Sequence, residues 1–188
     1  MIDEVLKFLV IELNKKLETA GEPNRAVMGN ILSQDGNIDN ALNDSIIVTL
    51  VNVEEEKVLK PQSSYIKEDD GAIFRTNPAI NLNLHVLFSA HFSDYRSGLK
   101  YLSSVLSFYQ GMNFFDHKNS PSLDPRIEKL VLELFTPSFE QLNHMWGFLG
   151  AKYMPSAIYK IRMLTIQDNK ILETLEGVSG MSKEIFTT

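Results

Sequence analysis

The amino-acid sequence predicts an α+β fold, in which a mostly antiparallel or mixed sheet has helices packed on one face. Three segments repeat apolar residues every three or four positions, as amphipathic helices do. Three others alternate apolar and polar residues, as half-buried strands do. Their order is helix, two or three strands, helix, strand, helix, strand. Because helices and strands do not alternate regularly, a succession of parallel βαβ units is not predicted.

The first predicted element is an amphipathic helix over residues 2–20. Its apolar stripe consists of Ile2, Val5, Leu6, Leu9, Leu13 and Leu17. Gly21 and Pro23 end the helix, since glycine and proline are typical just beyond a helix C-terminus. Residues 24–44 are rich in Asn, Asp and Gly, and the sequence predicts a loop there.

Two strands are predicted next, with different exposure. Residues 45–53 are apolar on both faces, which indicates a central strand covered on each side. A charged stretch begins at Glu54, and a turn is predicted at residues 68–71. Residues 80–88 alternate strictly, which predicts a strand with one polar face. That polar face would carry Asn81, Asn83 and His85.

A second helix is predicted over residues 93–110, followed by a loop at 112–126. The residues predicted to form its buried stripe are Tyr95, Leu99, Leu102, Leu106 and Tyr109. Gly111 follows where a left-handed cap is expected. Beyond the loop, alternation at residues 129–134 predicts a further strand with Leu130, Leu132 and Leu134 on one face.

The last predicted elements are a short helix, a strand and a tail. Ser138 and Gln141 have capping-box spacing, and Gly150 closes the helix that they open. Residues 157–165 alternate again, which places Lys160 and Arg162 on a polar face. From Gln167 onward the pattern weakens. We therefore predict one domain over residues 1–168 and a C-terminal tail over 169–188 that becomes ordered on assembly.

Composition excludes several classes of function. The chain is 44% hydrophobic and 22% charged, as folded proteins are, and its net charge of −6 argues against non-specific binding to nucleic acid or anionic lipid. It has no cysteine, which rules out disulfides, cysteine zinc sites and thiol nucleophiles. The N-terminus lacks the features of a signal peptide, and no stretch approaches the roughly 18 apolar residues of a membrane span. Synthesis in the cytoplasm is expected.

No catalytic or cofactor site is predicted. The glycine-rich phosphate loops and the nucleophile elbow are absent. The four histidines are not spaced to share a helix face with a second ligand, and we interpret His85 and His144 as surface or interface residues. Adjacent residues of a strand point to opposite faces, so Glu54, Glu55 and Glu56 cannot converge on one ion. Trp146 lies on the apolar stripe of its helix, which favours a core role over ligand stacking. We therefore expect no enzyme, metal or cofactor.

Four segments together resemble one known family. They are MIDEVLKFLVIELNKKL, SIIVTLVNVEEE, INLNLHVLFSAHFSDYRSGLKYLSSVLSFYQGMNFF and LFTPSFEQLNHMWGFLGAKYMPSAIYKIRML. In order and spacing they are similar to the cap, or tail-terminator, proteins of extracellular contractile injection systems of the Photorhabdus virulence cassette and antifeeding-prophage type. The resemblance covers residues 1–168, and longer members of the family carry a further C-terminal domain.

The resemblance implies a tail-terminator fold and a structural function. Such a protein forms a six-fold ring on the distal end of the inner tube and sheath and ends their growth. The implied partners are further copies of the chain, the sheath and the inner tube, without nucleic acid, membrane insertion or a cofactor. The particle is made in the bacterial cytoplasm and can be released from the cell. Candidate assembly contacts are Lys160, Arg162 and Asp168.

Two other interpretations stay open from the sequence alone. The chain is alternatively a neck or baseplate adaptor of the same machine. From a different class, it is a small ligand-binding regulator or an enzyme with an unrecognised site. A pocket that collects several titratable groups would favour this last interpretation, whereas a flat ring-forming surface would favour the cap.

Overall fold

A computed structural model of the chain describes residues 1–32, 36, 40–56, 64–67, 73–76, 80–166 and 171–175. The chain divides into two compact units. The first unit consists of Met1–Glu55 and Leu82–Leu164, and the second of Glu56–Asn81 and Thr165–Thr188.

The described residues form three helices, nine strands and one short 3₁₀-helix. The helices are α1 (Ile2–Thr19), α2 (Tyr95–Gly111) and α3 (Phe139–Leu149), and the 3₁₀-helix is Asn40–Leu42. The strands are β1 (Ala26–Met28), β2 (Ser45–Glu55), β3 (Ser64–Lys67), β4 (Ile73–Thr76), β5 (Ile80–His91), β6 (Phe114–Asp116), β7 (Lys129–Phe135), β8 (Ser156–Ile166) and β9 (Ile171–Leu175).

Two sheets are present among the described residues. The larger has the strand order β1-β2-β5-β8-β7-β6, in which β1 runs parallel to β2 while β2–β5, β6–β7 and β7–β8 are antiparallel. The smaller, in the second unit, has the order β3-β4-β9 with antiparallel pairs. The predicted α+β class with a mixed sheet is therefore confirmed.

Helices α1 and α2 cover one face of the larger sheet, as predicted. Leu9 of α1 and Val105 of α2 are fully buried in the same apolar cluster as Val86 and Phe88 of β5. The Tyr109 hydroxyl of α2 donates a hydrogen bond of 3.2 Å to the backbone carbonyl of Leu9. This buried bond joins the two helices across the core.

Helix α3 lies on the opposite face, which differs from the predicted placement of all helices on one face. Its Met145 and Trp146 pack with Leu87 and Ile158, and Leu87 points away from Phe88 because neighbouring strand residues alternate between faces. The face of β5 predicted to be polar and exposed is covered at several positions, since Asn83 and Ser89 are buried. The predicted core role of Trp146 is confirmed.

The predicted buried stripe of α2 is largely wrong. Tyr95, Leu99 and Leu106 are exposed, at 67%, 40% and 36%. The buried residues are Gly98, Tyr101, Val105 and Tyr109, about a quarter of a turn around the helix. Gly98 faces Ala90 and Phe92, and an added Cβ there would lie at ordinary van der Waals distance, 3.5 Å from Phe92.

Helix termini are partly as predicted. The Ser138 hydroxyl accepts from the Gln141 N–H at 3.2 Å while the Gln141 side chain accepts from the Ser138 N–H at 2.9 Å, which is the predicted capping box. Gly150 has the left-handed backbone that was expected, with φ of 68°. Gly111 instead is the last residue of α2 and does not adopt a left-handed conformation.

Several predicted segments have different boundaries in the structure. The loop predicted at 24–44 contains β1 and the 3₁₀-helix, and the loop at 112–126 contains β6. Leu134 of β7 is exposed, unlike Leu130 and Leu132. The turn predicted at 68–71 lies outside the described residues. Strand β9 lies inside the segment assigned to the tail, and the ordering of that tail on assembly stays a prediction.

Candidate assembly surfaces

The two candidate contact residues that the structure describes lie on the α3 side of the sheet, and both form ion pairs. Lys160 Nζ lies 2.9 Å from Glu54 Oε2, and Arg162 Nη2 lies 3.0 Å from Glu133 Oε2. The Lys160 side chain is only 20% exposed, whereas that of Arg162 is 44% exposed. The strands therefore present a row of side chains that carry both positive and negative charges. Asp168, the third candidate, lies outside the described residues.

An apolar groove of about 380 Å³ runs between α3 and the sheet beside this ion-paired row. Its walls include Phe135, Phe148 and Ile158, and His85 lies in it with its ring 5.3 Å from that of Phe135. His85 Nδ1 is buried and has no hydrogen-bond partner among the described residues. Desolvation by this burial lowers the pKa of His85, with Glu54 opposing the effect and Lys160 adding to it. The imidazole is therefore held in its neutral form.

A second cleft, of about 550 Å³, lies on the other face between the C-terminal half of α2 and β7. It is lined by Leu106, Leu134 and the rings of Tyr109 and Tyr159. Burial raises the pKa of Tyr159 to about 12 and raises that of Tyr109 as well, so both hydroxyls stay protonated. Both rings pack against Phe88, and a protonated hydroxyl is not poised as a base or nucleophile.

Exposed apolar side chains are the most prominent feature of the first unit's surface. The largest exposures are those of Phe139 (92%), Tyr95 (67%), Phe148 (66%), Tyr153 (66%) and Leu134 (56%). Exposed aromatic side chains are enriched at protein–protein contact surfaces. The sequence pattern did not reveal the exposed residues of α2, because Tyr95, Leu99 and Leu106 were assigned to the core. The excess of apolar residues on α2, which form two adjacent stripes, was the available signal.

Two carboxylates with lowered pKa values accept hydrogen bonds from nearby serines. Hydrogen bonds from Ser93 lower the pKa of Asp44, and hydrogen bonds from Ser97 lower the pKa of Asp94, which caps α2. Within the described part of the chain, no three His, Asp or Glu side chains are grouped to hold a metal ion. No helix in that part is long and apolar enough to cross a membrane.

Comparison with known proteins gives one family and two related folds. The family model of the Pvc16 N-terminal domain matches residues 4–178. The PVC sheath/tube terminator of an extracellular contractile injection system, in its extended state, aligns over 100% of this chain and 64% of its own, with a TM-score of 0.64 and 17% identity. The anti-feeding prophage tube terminating cap aligns over 94% of this chain and 58% of its own, with a TM-score of 0.53 and 17% identity.

The chain thus spans about three fifths of the length of these two solved proteins. At this sequence identity the likeness describes the fold. No curated protein sequence matches the chain significantly.

Proposed function

The chain belongs to the Pvc16 N-terminal domain family, and we propose that it is a structural cap of a contractile injection system. In this proposal it forms a six-membered ring on the distal end of the inner tube and the sheath, ends their polymerisation and stabilises the extended particle. The observation that carries the proposal is the alignment of the whole chain with a protein described as a sheath/tube terminator.

The surface described above supports an assembly function over a catalytic one. Its largest exposed groups are aromatic and aliphatic, which are the groups that interface cores contain. The groove beside α3 and the cleft beside α2 are lined mainly by apolar side chains, and His85 and Tyr159 in them are held in their neutral forms. A ring additionally requires two different, complementary surfaces on each subunit.

The partners and contacts are part of the same proposal. We assign the row of Glu54, Lys160, Glu133 and Arg162 to contacts with the sheath or with a neighbouring subunit. The intramolecular pairs hold these charges in place, so less conformational entropy is lost on binding. Asp168 and the tail at 169–188 are proposed to contribute on assembly. In this proposal the chain is made in the cytoplasm and becomes part of a particle that can be released from the cell.

Deletion of the gene in a producing strain tests the cap function. Particles from the deletion strain should have tubes and sheaths of uncontrolled length, or no stable extended sheath, in negative-stain images. The intact gene supplied in trans should restore uniform length. Particles of normal length and stability without the gene would overturn the proposal.

The position of the protein in the particle separates a cap from an adaptor. Gold labelling of a tagged chain should mark the end of the tube distal to the baseplate. Label confined to the neck or baseplate would identify an adaptor.

A further inference from the structure

Helix α2 presents a second apolar stripe that its own domain leaves exposed. Tyr95, Leu99, Leu102 and Leu106 are spaced by four, three and four residues, so they lie along one line of the helix. Leu102 is half-buried, and the other three are exposed. The line is about 16 Å long and ends at the cleft that Leu106 shares with the exposed Leu134.

The outer face of helix α3 is flanked by two exposed aromatic side chains. Phe139 and Phe148 are nine residues apart, about 14 Å along the axis, and lie on opposite sides of this outer face. Between them lies Gly147, where an added Cβ would meet nothing within 4 Å in the described structure. Gly147 lies in the last turn of α3, where its carbonyl accepts a hydrogen bond from the Gly150 N–H. The open space at Gly147 leaves room for the close approach of another helix to this face.

These two surfaces lie on opposite faces of the same sheet, because α2 packs on the Phe88 side and α3 on the Leu87 side. Two different surfaces on opposite sides of a subunit produce a head-to-tail contact, which closes into a ring when the rotation allows. We propose that the outer face of α3 of one copy packs on the exposed stripe of α2 in the next copy. This inference rests on the proposed ring and identifies the contact between its subunits.

Charge supports a second copy of this chain as the occupant. Helix α2 contains Arg96 and Lys100 and no acidic residue, whereas α3 contains Glu140 and no Lys or Arg. Lys100 is already paired with Glu22 within its own subunit. Arg96 is therefore the cation that we assign to Glu140 of the neighbouring copy, at the edge of the apolar contact.

Engineered disulfides test the contact directly, since the chain has no cysteine of its own. Leu99→Cys and Asn143→Cys place one thiol on each surface. A chain that carries both should give a ladder of cross-linked oligomers on oxidation, in the purified protein and in assembled particles. A mixture of the two single variants should stop at a dimer, and neither single variant should cross-link with itself. Pairing Asn143→Cys with Glu18→Cys, an exposed position on α1, is the matched control and should give no ladder.

Two further variants separate the contact from the fold. Gly147→Leu should melt at or above the wild-type temperature, because the position is open, yet lower the ladder yield by about tenfold or more. Arg96→Glu and Glu140→Arg should each reduce cross-linking, and the double variant should restore it. Absence of the ladder in both protein and particles would overturn the inference, as would a self-linked Leu99→Cys variant. If deletion of the gene still abolishes length control, the cap proposal survives that failure.

Discussion

Replacing Leu9 by alanine should destabilise the protein strongly, because α1 is part of the core. Leu9 is 0% exposed, lies in the main apolar cluster and has a carbonyl that accepts the Tyr109 hydrogen bond. Leucine-to-alanine changes in cores cost about 2–5 kcal/mol, and complete burial places this one at about 3–4 kcal/mol. For a chain of this size each kcal/mol lowers the melting temperature by about 2–4 °C, which gives about 6–16 °C in total.

The assay is thermal and urea unfolding followed by far-ultraviolet circular dichroism, at one protein concentration. Ile11→Ala is the matched control, since Ile11 lies on the same helix and is 51% exposed. It should change the free energy of unfolding by no more than about 0.5 kcal/mol. If the Leu9→Ala and Ile11→Ala variants have the same melting temperature, α1 is peripheral and Leu9 is not part of the core.

Three further predictions concern the α3 side of the sheet. Because burial lowers the pKa of His85, the unfolded chain takes up this proton at higher pH than the native one, and stability should fall as the pH drops through 6.5. The urea midpoint should decrease as the pH is lowered in wild type and in His117→Gln, and should decrease less in His85→Phe. The same pH dependence in His85→Phe as in wild type would contradict this prediction. Ser138→Ala should lose about 1 kcal/mol through the α3 cap, and Ser138→Thr should keep it; equal melting of the two variants would exclude the cap. Joint replacement of Lys160 and Arg162 by glutamate should leave the circular dichroism spectrum unchanged but reduce particle assembly. Normal assembly of this variant would show that Lys160 and Arg162 do not contribute to the assembly contact.

Local patterns were sufficient where a single element specifies its own environment. The stripe of α1, the capping box at Ser138 and the left-handed Gly150 all follow from spacing and residue type. The short strands β1 and β6 were not predicted, because three residues carry too little periodicity and depend on pairing with a longer neighbour. The resemblance to terminator proteins was likewise visible in the sequence, as a combination of four segments.

What the sequence by itself determined is the fold class and the family, since apolar periodicity and segment order are properties of the chain alone. Which apolar residues are buried was decided only by tertiary packing. Helix α2 has two adjacent apolar stripes, and periodicity is compatible with either as the core side. Packing in the main apolar cluster buries Val105 and Tyr109 and leaves Leu99 exposed. Likewise, α3 covers a face of β5 that the sequence pattern predicts to be polar. It packs there because Leu87 and Ile158, which are distant in sequence, lie together on that face. The surfaces proposed for assembly are the apolar residues that this packing left over.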